Sequence, residues 1–272
     1  MRLSLPLALL AGLLAGPSGS IAAEARRADV VVYGGTAGGV VAAVAAAREG
    51  KTVLLLEPGK HVGGMISGGL GATDTGSRAA IGGYSREFFN RVRDYYTKKN
   101  GADSAQVKDS SDGFRFEPHV AELVLKEMLK EAKVEVLFGQ RLDKVAKKGA
   151  LVESIQTLKG DDFAARVFID ASYEGDLMAR AGVKYTVGRE GRDQYKESLA
   201  GVQEYSKAHQ WPVPVAALDD KGKPLPFVLP GPAGKPGEGD KKVQAYNFRL
   251  CMTQGKDNLL PWPRPADYDP KR

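Results

Sequence analysis

Six small residues in a row, GGTAGG at 34–39, and one carboxylate, Glu57, 23 residues after Gly34, form the stretch best suited to hold a charged ligand. A valine-rich run ending in tyrosine precedes the glycines (29–33), and alanines and valines follow them (40–48). Strand, glycine turn and helix in that order aim unpaired N–H groups and a partial positive charge at an anion. Gly34 permits the tight turn. Small residues at Gly35, Ala37 and Gly38 let backbone come close, and Gly39 lets the helix pack on the strand. An acid at this distance accepts hydrogen bonds from a ribose diol. The pattern therefore predicts a dinucleotide, with its pyrophosphate over the helix start and its ribose against Glu57. Thr36 stands where the GxGxxG pattern places its middle glycine; it either crowds the pyrophosphate or donates its hydroxyl to it. A βαβ unit that binds nothing is the plainer alternative.

Around this unit the chain supplies the elements that must position it. A second strand at 52–56 delivers Glu57. Directly beyond lies a glycine-rich loop, PGKHVGGMISGGLGATDTG, whose glycines at 63, 64, 68, 69 and 71 let backbone approach a bulky flat ligand or continue around its phosphates. A surface loop without a ligand is the alternative. His61 sits at the loop edge; a covalent or acid–base role has only a lone histidine to support it. Residues 84–99 read as an amphipathic helix with Phe88, Phe89, Val92, Tyr95 and Tyr96 inward. Residues 100–113 read as a loop. A helix opens near Pro118, with Val120, Leu123, Val124 and Met128 as its buried face. A third parallel strand follows at 134–138. Then comes a β-meander, 142–146, 151–158 and 163–169. Its last strand runs into Asp170, Ala171 and Ser172, with Asp176 close behind. Such a strand end lies beside a ligand on the carboxyl edge of a parallel sheet.

The 272 residues are 43% hydrophobic, enough for one large or two smaller domains. The net charge of +6 is spread with mixed signs, and no basic block is interleaved with aromatics. It reads as solvated surface, which argues against nucleic acid. A single cysteine, Cys251, excludes an intrachain disulfide and a thiolate zinc cluster, and no metal site is expected. Residues 1–23 read as a signal peptide: Arg2, an apolar core at 3–14 too short for the ~20 residues of a span, and small residues before cleavage after Ala22 or Ala23. Arg26 and Arg27 follow that core, so they are no twin-arginine signal. Export unfolded to the periplasm or beyond is expected, with no stable membrane span after cleavage. Residues 212–242 hold seven of the fifteen prolines and read as a linker, lid or excursion. Arg189 and Arg192 read as surface arginines more than as an anion clamp. Arg249, in the strand-like stretch 245–252, is a candidate substrate contact.

Taken together, GGTAGG, Glu57, HVGGMISGGLGATD, FEPHVAE and FIDASYEGDLMARAGVKYTVGRE resemble the FAD-dependent oxidoreductase family of exported bacterial flavoproteins, related in fold to the glutathione-reductase type. The resemblance runs from about 29 to 192 and returns in AYNFRLCMT and PRPADYD. It implies an α/β fold: a Rossmann-like FAD-binding domain at 24–185, its parallel sheet carrying a β-meander crossover, and at 186–272 the start of a second, substrate-facing domain. FAD is the implied cofactor. Gly34, Gly35, Thr36 and Gly39 would hold its pyrophosphate and Glu57 its adenosine ribose. Gly63, Gly64 and Met65 would line the path towards the isoalloxazine. Leu142 would meet adenine through its backbone. Asp170, Ala171 and Asp176 would approach from the other side. The implied activity is hydride transfer between a small-molecule substrate and flavin, with a separate electron acceptor; no residue is singled out as general base. Tyr173 departs from the pattern, since many flavoproteins carry glycine there. The absence of a closing glycine-rich segment near Arg272 suggests a partial chain. An NAD(P)-dependent dehydrogenase and a truncated, non-catalytic remnant that binds a nucleotide weakly are the alternatives.

Overall fold

Valine and leucine runs bounded by glycine make strands that are covered on both faces. In β1 (Arg26–Tyr33), Val30 and Val32 turn towards one hydrophobic cluster and Val31 and Tyr33 towards another. The same alternation recurs in β2 (Val53–Glu57), where Leu55 faces the first cluster and Leu54 and Leu56 the second. The computed structural model describes residues 25–204, 216–226, 228, 231, 234–243, 249–250, 252–253, 256 and 259–269. The proposed signal segment and most of 245–252, Cys251 included, lie outside them.

Between the two strands runs α1 (Ala37–Arg48), followed after β2 by α2 (Gly83–Asn100), α3 (Ala105–Asp109) and α4 (Pro118–Glu131). Then come β3 (Glu135–Phe138), β4 (Leu142–Lys148), β5 (Leu151–Thr157), β6 (Asp162–Asp170) and α5 (Asp176–Arg180). Among the described residues the six strands form one sheet in the order β3-β2-β1-β6-β5-β4. The first four are parallel and the last two antiparallel, which is the expected parallel sheet with a meander on one side. Register places Tyr33 beside Leu56 and Asp170, and Glu57 beside Phe138. The carboxyl ends of all four parallel strands thus share one edge.

Helices α1, α2 and α4 cover one face. Their buried residues are Val40, Ala43 and Val44 on the first, Phe88, Val92 and Tyr96 on the second, and Val120, Val124 and Met128 on the third. Each set follows helical spacing. Two expectations need correction. Leu123 is 39% exposed, because the buried stripe of α4 passes through Ala121, Leu125 and Leu129 instead. The stretch 100–113 is not all loop: Ser104 accepts the Val107 N–H and caps the single turn of α3.

The other face is covered by the meander. The hydroxyl of Tyr33, a fully buried residue, accepts the Leu142 N–H at 3.0 Å. Because β4 stands three places from β1 in the sheet, this bond requires the meander to curl back across the face. Among the described residues no helix is long and apolar enough to cross a membrane.

The chain divides into two compact units, Met1–Ala181 and Gly182–Arg272. In the second, Arg189 and Asp240 pair both through backbone and through their charged groups, so the Arg189 charge is answered within the chain. A short helix, α6 (Arg192–Tyr195), belongs to this unit, as does exposed Arg249.

The three covering helices are joined by ions. Arg48 makes a forked pair with Glu87 at 2.7 and 2.8 Å, and Arg91 bridges Glu87 and Glu131. Arg48, with Arg91 behind it, lowers the Glu87 carboxyl from 4.5 to about 2. A depressed carboxylate stabilises the fold above its unfolded value and loses that contribution as pH falls towards 2. Glu87→Gln is therefore expected to cost about 1–2 kcal/mol at pH 7, after allowing for solvent screening. In urea unfolding across pH, the gap to wild type should close between pH 4.5 and 2. A gap independent of pH would show that the ion pairs are not its source.

Candidate functional site

The site grows from the turn between β1 and α1. Thr36 caps α1: its Oγ1 accepts the Gly39 N–H at 3.1 Å and donates to the Ala171 carbonyl at 2.8 Å. The hydroxyl has one proton, and Ala171 takes it. Of the two expectations for Thr36, donation to a pyrophosphate would require its hydroxyl to leave the Ala171 carbonyl. Thr36 instead ties the β6 corner to the helix start. Gly39 must lack a side chain for the same packing, since a Cβ there would lie 2.0 Å from the Gly34 carbonyl.

Glu57 closes the other side. One carboxylate oxygen accepts the Gly35 N–H at 2.7 Å, and the other accepts the Gly59 N–H at 2.5 Å. Each oxygen keeps lone-pair capacity for a further donor. The loop beyond folds back on the turn, with the Gly63 N–H donating to the Gly35 carbonyl at 2.7 Å. Its glycines serve this packing: a Cβ on Gly63 would meet Ser67 and Leu125, and one on Gly71 would come 2.0 Å from the Phe116 carbonyl.

These parts enclose a groove of about 460 Å³ at the carboxyl edge of the parallel strands. That is within the roughly 300–1,000 Å³ common for ligand sites. Of the expected residues, Gly34, Thr36, Glu57, Gly64, Leu142 and Asp176 line it. Ala37 and Gly38 line instead an adjoining apolar cavity of about 270 Å³, with Ile66, Phe88, Phe116 and Leu125. Consecutive residues of the glycine turn, Thr36 and Ala37, line one cavity each.

Several expected residues are occupied by the protein. The Leu142 N–H is held by Tyr33, so that amide is not available to adenine. Asp170 is engaged within the chain and is not among the groove's lining residues: one oxygen accepts from the amide and hydroxyl of Ser172, and the other accepts the Met178 N–H at 2.7 Å, anchoring α5. Ala171 is the wall against which Gly39 packs. Asp176 is paired with Arg180 at 3.2 Å. Gly35 and Gly63 shape the turn and loop, and Met65 is half exposed with its N–H held by Tyr173.

Sequence reasoning missed Tyr33, Arg141, Asp143 and Arg180 as lining residues. The one readable signal was a polar-tipped aromatic ending a run of valines, at Tyr33. The others reach the groove because the meander curls back, which no local pattern announces. His61 lies at the groove rim, 75% exposed, with Nδ1 3.1 and 3.2 Å from the two Glu122 oxygens.

The residues present fit a dinucleotide. The first turn of α1 carries no acid, and a Cβ on Gly38 would meet nothing nearer than Thr36 Oγ1 at 3.8 Å, so backbone there is open to an anion. Glu57 stands at the groove wall with acceptor capacity left for a diol, and Arg141 brings positive charge to a lining that also holds Asp143, Glu174 and the Asp176–Arg180 pair.

The sequence profile of the FAD dependent oxidoreductase family matches residues 29–272. No curated protein matches the chain. Among solved structures, the chain is similar to L-proline dehydrogenase from P. horikoshii (17% identity, TM-score 0.41, 61% of this chain and 59% of that one). It is likewise similar to L-amino acid deaminase from Proteus vulgaris (15%, 0.43, 60% and 58%) and to T. acidophilum thioredoxin reductase (19%, 0.32, 53% and 35%). The match spans less than two thirds of each of those proteins.

Proposed function

The chain belongs to the FAD dependent oxidoreductase family, and from that premise we propose that it moves a hydride between a small-molecule substrate and flavin adenine dinucleotide. The observation that carries the reading is Glu57. Its carboxylate is fixed by two backbone N–H groups at the wall of a groove whose floor is the glycine turn. Glu57 would accept from the ribose diol. Backbone at Gly34–Gly39 and the start of α1 would face the diphosphate, while Arg141 would offset part of its charge. The second, apolar cavity, walled by Phe88 and Phe116, suits a planar ring. When bound, the flavin supplies the redox chemistry, and the protein positions it.

The same reading has the chain exported through residues 1–23 to the periplasm or beyond. It divides the remainder into a cofactor domain at 24–185 and a substrate-facing domain at 186–272, where Arg249 would contact substrate. A separate electron acceptor would reoxidise the flavin.

The purified protein tests this directly. Absorption bands of bound flavin are expected as isolated or after adding FAD. Stabilisation by NAD with no uptake of FAD would overturn the reading in favour of a nicotinamide enzyme. A response to neither would leave a non-catalytic remnant.

A further inference from the structure

Tyr173 connects the two walls of the groove. It follows the Ala171–Ser172 corner, and the Ser172 amide would lie 2.7 Å from a Cβ on Gly34. On the opposite wall its hydroxyl accepts the Met65 N–H at 2.7 Å. A Cβ on Gly64 would sit 2.2 Å from that oxygen and 2.9 Å from Tyr173 Cζ, so the ring lies directly on the glycine. The side chain therefore runs from beside Gly34 to beside Gly64, across the groove that all three residues line. It is 54% exposed, so little packing holds it from outside.

We propose that Tyr173 is a displaceable latch: the bond between its hydroxyl and the Met65 amide holds the ring across the groove, and the ring must swing aside for the cofactor to seat. The proposal rests on the groove being the FAD site. The ring and a cofactor seated in the groove would compete for the same space beside Gly64, so the cofactor's own contacts oppose the closing bond and the tyrosine is left to rotate into solvent. A latch that is closed most of the time lowers both the association rate and the apparent affinity by the open fraction. The bond that closes it is neutral, so its removal is expected to change that fraction by about two- to tenfold.

The test uses the full chain, freed of flavin and mixed with FAD, with quenching of flavin fluorescence followed in a stopped-flow instrument. Tyr173→Phe keeps the ring and removes the hydroxyl; Tyr173→Ala removes both. Each is expected to associate two- to tenfold faster than wild type or more, with a lower Kd. Far-ultraviolet circular dichroism establishes that both variants fold. Equal rates and affinities in all three proteins would overturn the latch alone. Weaker binding by the variants would also overturn it, because Tyr173 would then support the bound cofactor rather than oppose it. A wild-type chain that takes up no FAD would overturn the groove reading and the latch together.

Discussion

Glu57→Arg is expected to yield a folded protein that no longer retains flavin. In the native groove the carboxylate has two tasks. It accepts N–H groups from Gly35 and Gly59, which fixes the glycine turn against the loop beyond β2. It also stands at the groove wall, where it would accept from a ribose diol. Hydrogen bonds to a charged group are worth about 1.5–3 kcal/mol each. Arginine offers no acceptor, leaves both amides without their partner and fills the ribose position. A loss of FAD affinity of about 100-fold or more follows, read by titration of flavin fluorescence. Glu57→Gln keeps an acceptor oxygen and nearly the same shape, so a loss nearer tenfold is expected from it. Uptake of FAD by the arginine variant with wild-type affinity would show that the ribose does not lie at Glu57.

Gly39→Ala should damage the fold itself. The added methyl would lie 2.0 Å from the Gly34 carbonyl and 3.0 Å from the Ala171 side chain. The obstacle is backbone, so no side chain can rotate out of the way. Helix α1 would have to move off β1, which breaks the Thr36 cap and the bond from Thr36 to Ala171. A cost of about 3 kcal/mol or more is expected. In a chain of this size that is a fall in Tm of roughly 6–12 °C, measurable by calorimetry. Gly38→Ala is the matched control. Its methyl meets nothing nearer than 3.8 Å, so stability should hold or rise by about 0.5–1 kcal/mol, as for an alanine replacing glycine in a helix. FAD binding should nevertheless weaken, because the methyl occupies the open backbone at the start of α1. Equal melting of the two variants would contradict the close packing seen at Gly39.

The strand–turn–helix–strand unit was readable from residues alone because each of its parts is a local constraint. Valine runs make buried strands, glycines make the turn, and an acid a fixed distance on falls at the end of the next strand. The long helices and the meander were readable for the same reason, through their hydrophobic periods and the glycines between them. Contacts across distance were not. Thr36 reads as a donor to a ligand until Ala171, brought beside it by β6, takes its proton. Asp170 reads as a groove carboxylate until α5 folds back and presents the Met178 N–H. Leu142 loses its amide to Tyr33 because the meander curls across the sheet, and the same curl brings Arg141 and Asp143 to the groove. Tyr173 stood out in the sequence as a departure, but its reach to Met65 depends on the loop after β2 lying opposite. Local chemistry dictated which elements form and where backbone is left without side chains. Which polar groups remain free to meet a ligand was settled only by packing, since a hydrogen-bonding group answers to its nearest partner in space and not to its neighbours along the chain.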